Sequence, residues 1–572
     1  MKRRTFLKLA AGMALAAGPG AQPAGAAVAT LMNQEAAGLR NRDRSTVIGR
    51  DGMLCTSQPL ASIAGLDVLK AGGNAIDAII CANATLGVVE PMNCGPGGDL
   101  FAIVWWEQDK KLYGLNASGR APYGWNLAEA EKRGLKSIPA YSPLAWNVPG
   151  CVSGWEALRE RFGTRSAAQA LEAPIHYARD GFAVSSVIAG DWPFSAAKFP
   201  TLAATFLPDG RAPRYGEIFT NPDIAAFYGI LAKEGFNAFY KGEPAERIAR
   251  FSKENDGYLS RKDFEEHQAT WVDPVSTGYR GFNVWEIPPN GQGISVLQML
   301  NMLECFDIGA MAPNAAEPLH LFIEAKKLAY EDRAKYYADM DFAEVPLKEL
   351  ISKEYGRARA KEINPKRASR HVTAGDPSGK DTVYLCAADQ FGNMVSLIQS
   401  TYHGWGSHIV PDRLGFALQN RGVSFSLDPG HRNRLEPHKR PFHTIIPAFL
   451  TKAGAPVMAF GVMGGDFQPQ GHVQILMNMI DFGMSPQRAG DQPRVEHSGS
   501  SSPSGGTMRE GGTVNLEAGI GDEVRKKLED WGHHLGNAPD VFGGYQAIWR
   551  EEAPRRYFGG SDPRKDGCAA TY

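Results

Sequence analysis

The 572-residue chain has almost no net charge: 61 Lys plus Arg stand against 62 Asp plus Glu, a formal charge of -1. That balance removes the long-range attraction on which nucleic-acid and anionic-membrane binders depend. No apolar run approaches the roughly 18–20 residues of a membrane span. Cysteine is sparse and odd in number, with Cys55, Cys81, Cys94, Cys151, Cys305, Cys386 and Cys568 forming no C-x-x-C pair. A disulfide framework is therefore not indicated. The thirteen histidines, His533-His534 included, lack metal-ligand spacing. Neither a phosphate loop, an H-E-x-x-H zinc helix nor a G-x-S-x-G elbow occurs. The glycine turn at residues 95–98 follows a helical stretch and precedes a strand, the reverse of the order a dinucleotide loop needs.

What remains is a globular chain, 43% hydrophobic, rich in turns with 64 Gly and 37 Pro. At roughly 100–200 residues per domain, its length corresponds to about three to five units or one large fold. Lys2-Arg3-Arg4-Thr5-Phe6-Leu7-Lys8, an Ala-rich stretch and Ala24-Gly25-Ala26 predict a Tat-like signal over residues 1–26 and export to the periplasm. Residues 62–90 read as two helices joined by Ala71-Gly72-Gly73-Asn74. Residues 319–337 carry Leu321, Phe322, Ala325, Leu328 and Ala329 on one face, with Glu324, Lys327, Glu331 and Arg333 elsewhere, as in an amphipathic helix. Two hairpins are predicted, one over residues 381–399 turning at 390–393, the other over 448–461 turning at 452–455. The stretch 498–506 (SGSSSPSGG) reads as a mobile surface loop. Helices before and after antiparallel hairpins give a layered α/β fold rather than a βαβ nucleotide fold.

One constellation invites a chemical reading. Asp381-Thr382 heads a strand, Ser400-Thr401 ends its partner, and Gly464-Gly465 precedes a helix. Taken singly, each has an ordinary structural use: Thr suits strands, and paired glycines suit tight turns.

Together with Ala71-Gly72-Gly73-Asn74-Ala75-Ile76-Asp77-Ala78, Val88-Val89-Glu90-Pro91, Val148-Pro149-Gly150, Pro289-Asn290-Gly291-Gln292-Gly293, Glu324-Ala325-Lys326 and Lys439-Arg440-Pro441, the chain resembles the γ-glutamyltransferases among the N-terminal-nucleophile hydrolases, from about residue 49 to residue 536. The resemblance implies a four-layer αββα sandwich and a proenzyme that cuts itself between Asp381 and Thr382. The products would be a large subunit, residues 27–381, and a small subunit, residues 382–572, joined as a heterodimer that could pair again. Thr382 would be the nucleophile and its new α-amine the base. Such an amine has an unperturbed pKa of about 7.7–8.0, so no cofactor or metal is called for. By the same resemblance Ser400 orients the nucleophile, Gly464 and Gly465 supply oxyanion donors, and Arg120 grips a substrate carboxylate.

The chain also departs from that pattern. Val383-Tyr384 follow the nucleophile where γ-glutamyl-specific members carry Thr-His. Ser424 stands where those members have the Asp that holds the substrate ammonium, and Arg421 where they have Gln. His443-Thr444 replace a Ser-Ser pair, and the connection over residues 425–439 is short. An ammonium that loses its charge partner and gains a cation nearby is disfavoured by Coulomb's law. Arg120 and Arg421, with Ser424, His443 and Thr444, instead suit a small anionic amide, although an ion pair is the structural alternative for either arginine. The leading expectation is cleavage of γ-glutamyl amides such as glutathione. The alternatives are an amidohydrolase of another small carboxylate amide, similar to oxamate amidohydrolases or glutaryl-type acylases, and an uncleaved, non-catalytic exported binding protein.

Overall fold

Burial with period two on both faces governs the centre of the molecule. Along the strand Asp381–Ala388, the side chains of Tyr384, Cys386 and Ala388 join one core and those of Val383, Leu385 and Ala387 another. A strand covered on both faces has no polar side to show, which is why Asp99–Trp106 (DLFAIVWW) reads as a continuous apolar run after its first residue. The computed structural model describes residues 44–370, 381–500, 502–538 and 542–572, with Asp381 described by its backbone alone. The export signal expected at residues 1–26 lies outside the described residues.

Two seven-stranded sheets form the inner layers. The first runs, in spatial order, Cys568–Thr571, Met53–Thr56, Asp381–Ala388, Met394–Tyr402, Asp99–Trp106, Lys111–Ala117 and Thr270–Val272. The second runs Val47–Gly49, Arg555–Ser561, Gly544–Glu552, Ala455–Met463, Ala448–Lys452, Phe282–Glu286 and Val275–Tyr279. All these neighbours pair antiparallel. The core between the sheets draws Phe101, Ile103 and Tyr384 from the first and Phe449, Ala459 and Ile548 from the second. Helices Pro59–Lys70, Ala75–Val89 and Cys151–Phe162 pack on the outer face of the first sheet. Helices Ile294–Leu303 and Gln468–Leu476 pack on the second sheet, and Ala316–Tyr336 packs against Ile294–Leu303. The fold is thus the four-layer αββα sandwich, and both hairpins lie where the sequence places them.

The turn between the first two helices is set by capping. The Asn74 side chain accepts from the backbone of Ile76 and Asp77, and Asp77 accepts in return from Asn74. Such caps typically contribute about 1 kcal/mol.

Two expectations change. In Ala316–Tyr336 the charged residues Glu324, Lys326, Lys327 and Arg333 are buried with the apolar ones, because partners reach them: Lys327 Nζ lies 2.8 Å from Glu324 Oε1, and Arg333 lies 2.6 Å from Asp466. In the serine-rich stretch Ser500 is buried and accepts from the Lys326 ammonium, and the Pro503 carbonyl accepts from Asn433 at 3.1 Å. A buried ammonium needs oxygen acceptors, and this loop supplies one.

Candidate active site

The hairpin carrying Thr382 is irregular at that residue. Asp381 pairs with Tyr402 and Val383 with Gln399, so Thr382 alone faces Ser400 and Thr401. A bulge of this kind re-aims a side chain out of the regular ladder. Thr382 is buried, at 2% exposure, and its hydroxyl donates to Ser400 Oγ at 3.2 Å. Ser400 Oγ also accepts the Tyr402 backbone N–H at 2.8 Å. From the other side, Gln468 Nε2 lies 3.5 Å from Thr382 Oγ1, while its Oε1 accepts the Ile446 N–H at 3.0 Å.

The glycine turn after the second helix is built onto this strand end. Gln399 accepts from the Gly95 N–H at 2.9 Å and donates to its carbonyl at 2.7 Å. A Cβ at Gly98 would stand 2.3 Å from the Ser400 carbonyl oxygen, so only glycine fits without moving Ser400.

Gly464 and Gly465 adopt φ of 120° and 56°, conformations that glycine takes without strain. Among the described residues neither donates its backbone N–H to a partner. The loop is pinned from three sides. Gln292 Nε2 donates to the Gly465 and Thr444 carbonyls at 2.9 and 2.7 Å, Arg333 binds Asp466, and the Tyr330 hydroxyl donates to the Asp466 carbonyl. Asn290, two residues before Gln292, donates to the Pro441 carbonyl at 2.8 Å. The Pro289-Asn290-Gly291-Gln292-Gly293 motif therefore works through its two amides.

The two arginines singled out by sequence are differently placed. Arg120 lies 3.5 Å from Asp339 and 3.2 Å from Asp341, and donates to the His438 carbonyl at 3.1 Å. Arg421 is fully buried, and among the described residues no carboxylate lies in hydrogen-bonding reach of it. Its NH1 donates to Thr444 Oγ1 at 2.8 Å, its guanidinium stacks 3.8 Å from the Tyr402 ring centre, and its Nε and NH2 have no partner. Burial pushes the Arg421 guanidinium down to about 10, against the pull of Tyr402, Asp99 and Asp466, so it stays charged at neutral pH. Tyr402 itself holds a φ of 83°, a costly conformation for an aromatic residue and one that concentrates at functional sites. Ser424 Oγ, close to the Tyr402 phenol, closes no hydrogen bond of standard geometry.

His443 is buried against Phe101. Burial first, and then Arg421, push its imidazole down to about 4, so it is neutral. Nδ1 accepts from the Ile445 N–H at 3.3 Å, which leaves the proton on Nε2, donated to Asp99 Oδ2 at 3.0 Å.

Sequence reading missed Asp99, Gln468 and Tyr402. Asp99 had a legible signal: a carboxylate heading an otherwise apolar strand, directly after two glycines. Among the described residues, one group offers metal-ligand chemistry: His320, Glu324 and His533, with ligand atoms within 4.8 Å of one another. It fits a cation poorly, since the rings are hydrogen-bonded at 2.7 Å and Glu324 already holds the Lys327 ammonium and the Ser369 N–H.

The chain matches the gamma-glutamyltranspeptidase family model over residues 61–572. It belongs to that family. A glutathione hydrolase-like YwrD proenzyme of Bacillus subtilis is 36% identical across 92% of this chain and 99% of its own length. The oxamate amidohydrolase proenzyme of Klebsiella pneumoniae is 33% identical across 92% and 100%. In three dimensions, a cephalosporin acylase from Bacillus halodurans superposes with a TM-score of 0.86 at 40% identity, covering 93% of this chain and 98% of that one. This gamma-glutamyltranspeptidase-family chain is therefore an amide hydrolase or acylase with the αββα fold, and its relatives are named as proenzymes.

Proposed function

We propose that the chain is a self-processing amidohydrolase whose substrate acyl group ends in an anion and bears no α-ammonium. The observation that carries the acyl assignment is Arg421, a buried guanidinium whose Nε and NH2 nitrogens have no partner among the described residues. A buried cation with no hydrogen-bonded carboxylate among the described residues is costly, and an acyl carboxylate would supply the missing acceptors. Ser424, standing in place of a carboxylate, offers nothing to offset an ammonium.

In maturation, Thr382 Oγ attacks the Asp381 carbonyl carbon, the C–N bond breaks as the ester forms and frees the Thr382 amine, and water hydrolyses the ester to release the Asp381 carboxylate and restore the Thr382 hydroxyl. That amine then accepts the hydroxyl proton as Oγ attacks a substrate amide. The Gly464 and Gly465 N–H groups face the developing oxyanion, a stabilisation whose loss typically costs about 3–4 kcal/mol of barrier. The proton passes to the departing amine, and water releases the acid. Ser400 holds the attacking hydroxyl in line, and Arg120 provides a second positive group at the pocket. Export by residues 1–26 belongs to the same proposal.

Thr382→Ala is expected to remain one uncut chain while the wild type resolves by mass into two, the smaller beginning at Thr382. Two subunits from the variant, or an uncut wild type, would refute the nucleophile. Comparing a γ-glutamyl amide with its de-amino glutaryl counterpart tests the acyl assignment. A preference for the γ-glutamyl compound would return the specificity to glutathione-like substrates.

A further inference from the structure

We propose that Asp99 is a positioning residue whose single buried carboxylate fixes both arginine-bearing segments of the acyl pocket relative to the nucleophile strand. The inference rests on the acyl reading above and assigns a residue that the reading does not use. Asp99 lies directly across the ladder from Ser400, so it is tied to the strand end that holds Thr382. Oδ1 accepts from the Gly119 N–H at 2.8 Å, the Gly150 N–H at 3.1 Å and Gln419 Nε2 at 2.8 Å. Oδ2 accepts from His443 Nε2 at 3.0 Å. Gly119 precedes Arg120, Gln419 stands two residues before Arg421, and His443 precedes Thr444, which binds Arg421.

Four donors hold the carboxylate, three crowded on Oδ1 and one on Oδ2. Asp99 is thus engaged by the protein through both oxygens, and a negative charge beside an anion pocket does not recruit the anion. Its effect is geometric: four separate loops converge on two oxygens, which is how a supporting shell fixes groups that touch substrate. It also places a negative charge near Arg421, favouring the charged guanidinium.

An amide cannot take over this role. In Asp99→Asn one oxygen can keep the Gly119, Gly150 and Gln419 donors, but the new NH2 then meets the His443 Nε2–H. The ring can accept only by moving its proton to Nδ1, where the Ile445 N–H already points. Donor opposes donor on one side or the other, so the disturbance falls on the 443–444 segment and hence on Arg421, while the Arg120 side keeps its bonds.

The test is a comparison of wild type, D99N and Gln419→Met on a carboxylate-bearing acyl amide and on a neutral acyl amide of equal length. D99N is expected to mature normally, with KM for the anionic amide raised ~10-fold or more and kcat within ~3-fold, the neutral amide being unaffected. D99N/H443Q, in which a side-chain oxygen at 443 can accept from the introduced amide, should recover part of the lost selectivity. Gln419→Met, which removes one donor and no charge, should show the same KM-only change at ~3-fold. An unchanged anionic-to-neutral KM ratio in both variants overturns the proposal, as does a fall in kcat with KM intact. A D99N chain that does not fold leaves Gln419→Met to decide. Should wild type turn over neither amide, the acyl reading itself fails. Glutarate affinity measured by calorimetry then tests Asp99 alone, with equal Kd in wild type and D99N overturning it.

Discussion

Arg120 and Arg421 are the two guanidinium groups that sequence reading assigned to the same task, and the fold prepares them in opposite ways. Arg120 is partly solvated, with 14% of its side chain exposed, and already faces Asp339 and Asp341. Arg421 has no exposure, one hydroxyl partner and an aromatic ring beneath it. A ligand carboxylate arriving at Arg120 competes with carboxylates in place, whereas at Arg421 it completes a set of donors that the protein leaves open. Two identical side chains thus differ in what a ligand gains, because the desolvation of Arg421 is met during folding. Preorganised sites work in this way.

Substitution breaks the comparison most sharply at Arg421. Arg421→Met should raise KM for an anionic acyl amide on the order of 10²-fold, the scale of removing one partner from a buried charge pair, while maturation proceeds. Arg421→Lys should rescue little, since an ammonium cannot reproduce the planar fork or the stacking on Tyr402. Arg120→Met should cost only about 5-fold, as befits a partly exposed and already paired group. Equal losses at the two positions would erase the distinction.

A smaller effect sharpens it through pH. His443 is held near 4 in the folded chain against an ordinary 6.5, partly by Arg421. Between those values the unfolded chain binds the proton and the folded chain does not, so stability falls as pH drops from about 6.5 towards 4. Buried His472 and His533, both pushed down to about 3, act in the same direction. The melting temperature measured between pH 7.5 and 4.5 should decline with acid. The decline should be shallower in Arg421→Met, where the repelling cation is gone, and unaltered at His443 in Arg120→Met.

The hairpins, the capped helical turn and the Thr382–Ser400 contact were legible because they depend on local pattern and ordered motifs. Period-two burial gives the strands, and Asn74 with Asp77 announces a helix start. The surroundings of the two arginines were legible only as a set of substitutions. That Arg421 has no ion pair among the described residues while Arg120 has two depends on Asp339 and Asp341, residues distant in sequence with no motif of their own. Gln468 was hidden for the same reason: its side chain reaches Thr382 across 86 positions. The charged face of Ala316–Tyr336 was misread because periodicity reports polarity, and a helix covered on all sides buries its charges in pairs.

The order of strands has a mechanical consequence. In the first sheet, Met53–Thr56 lies between Cys568–Thr571 and Asp381–Ala388, and Met394–Tyr402 is followed outward by Asp99–Trp106. In the second sheet, Val47–Gly49 borders Arg555–Ser561 at one edge and Phe282–Glu286 borders Ala448–Lys452 towards the other. The proposed cut before Thr382 would therefore leave two polypeptides woven through one another, each supplying strands on both flanks of the other. They cannot part as docked bodies do, because separating them tears ladders in both sheets. Dissociation and denaturation become one event, whose midpoint moves with protein concentration, and halves synthesised apart have no finished surfaces by which to find each other.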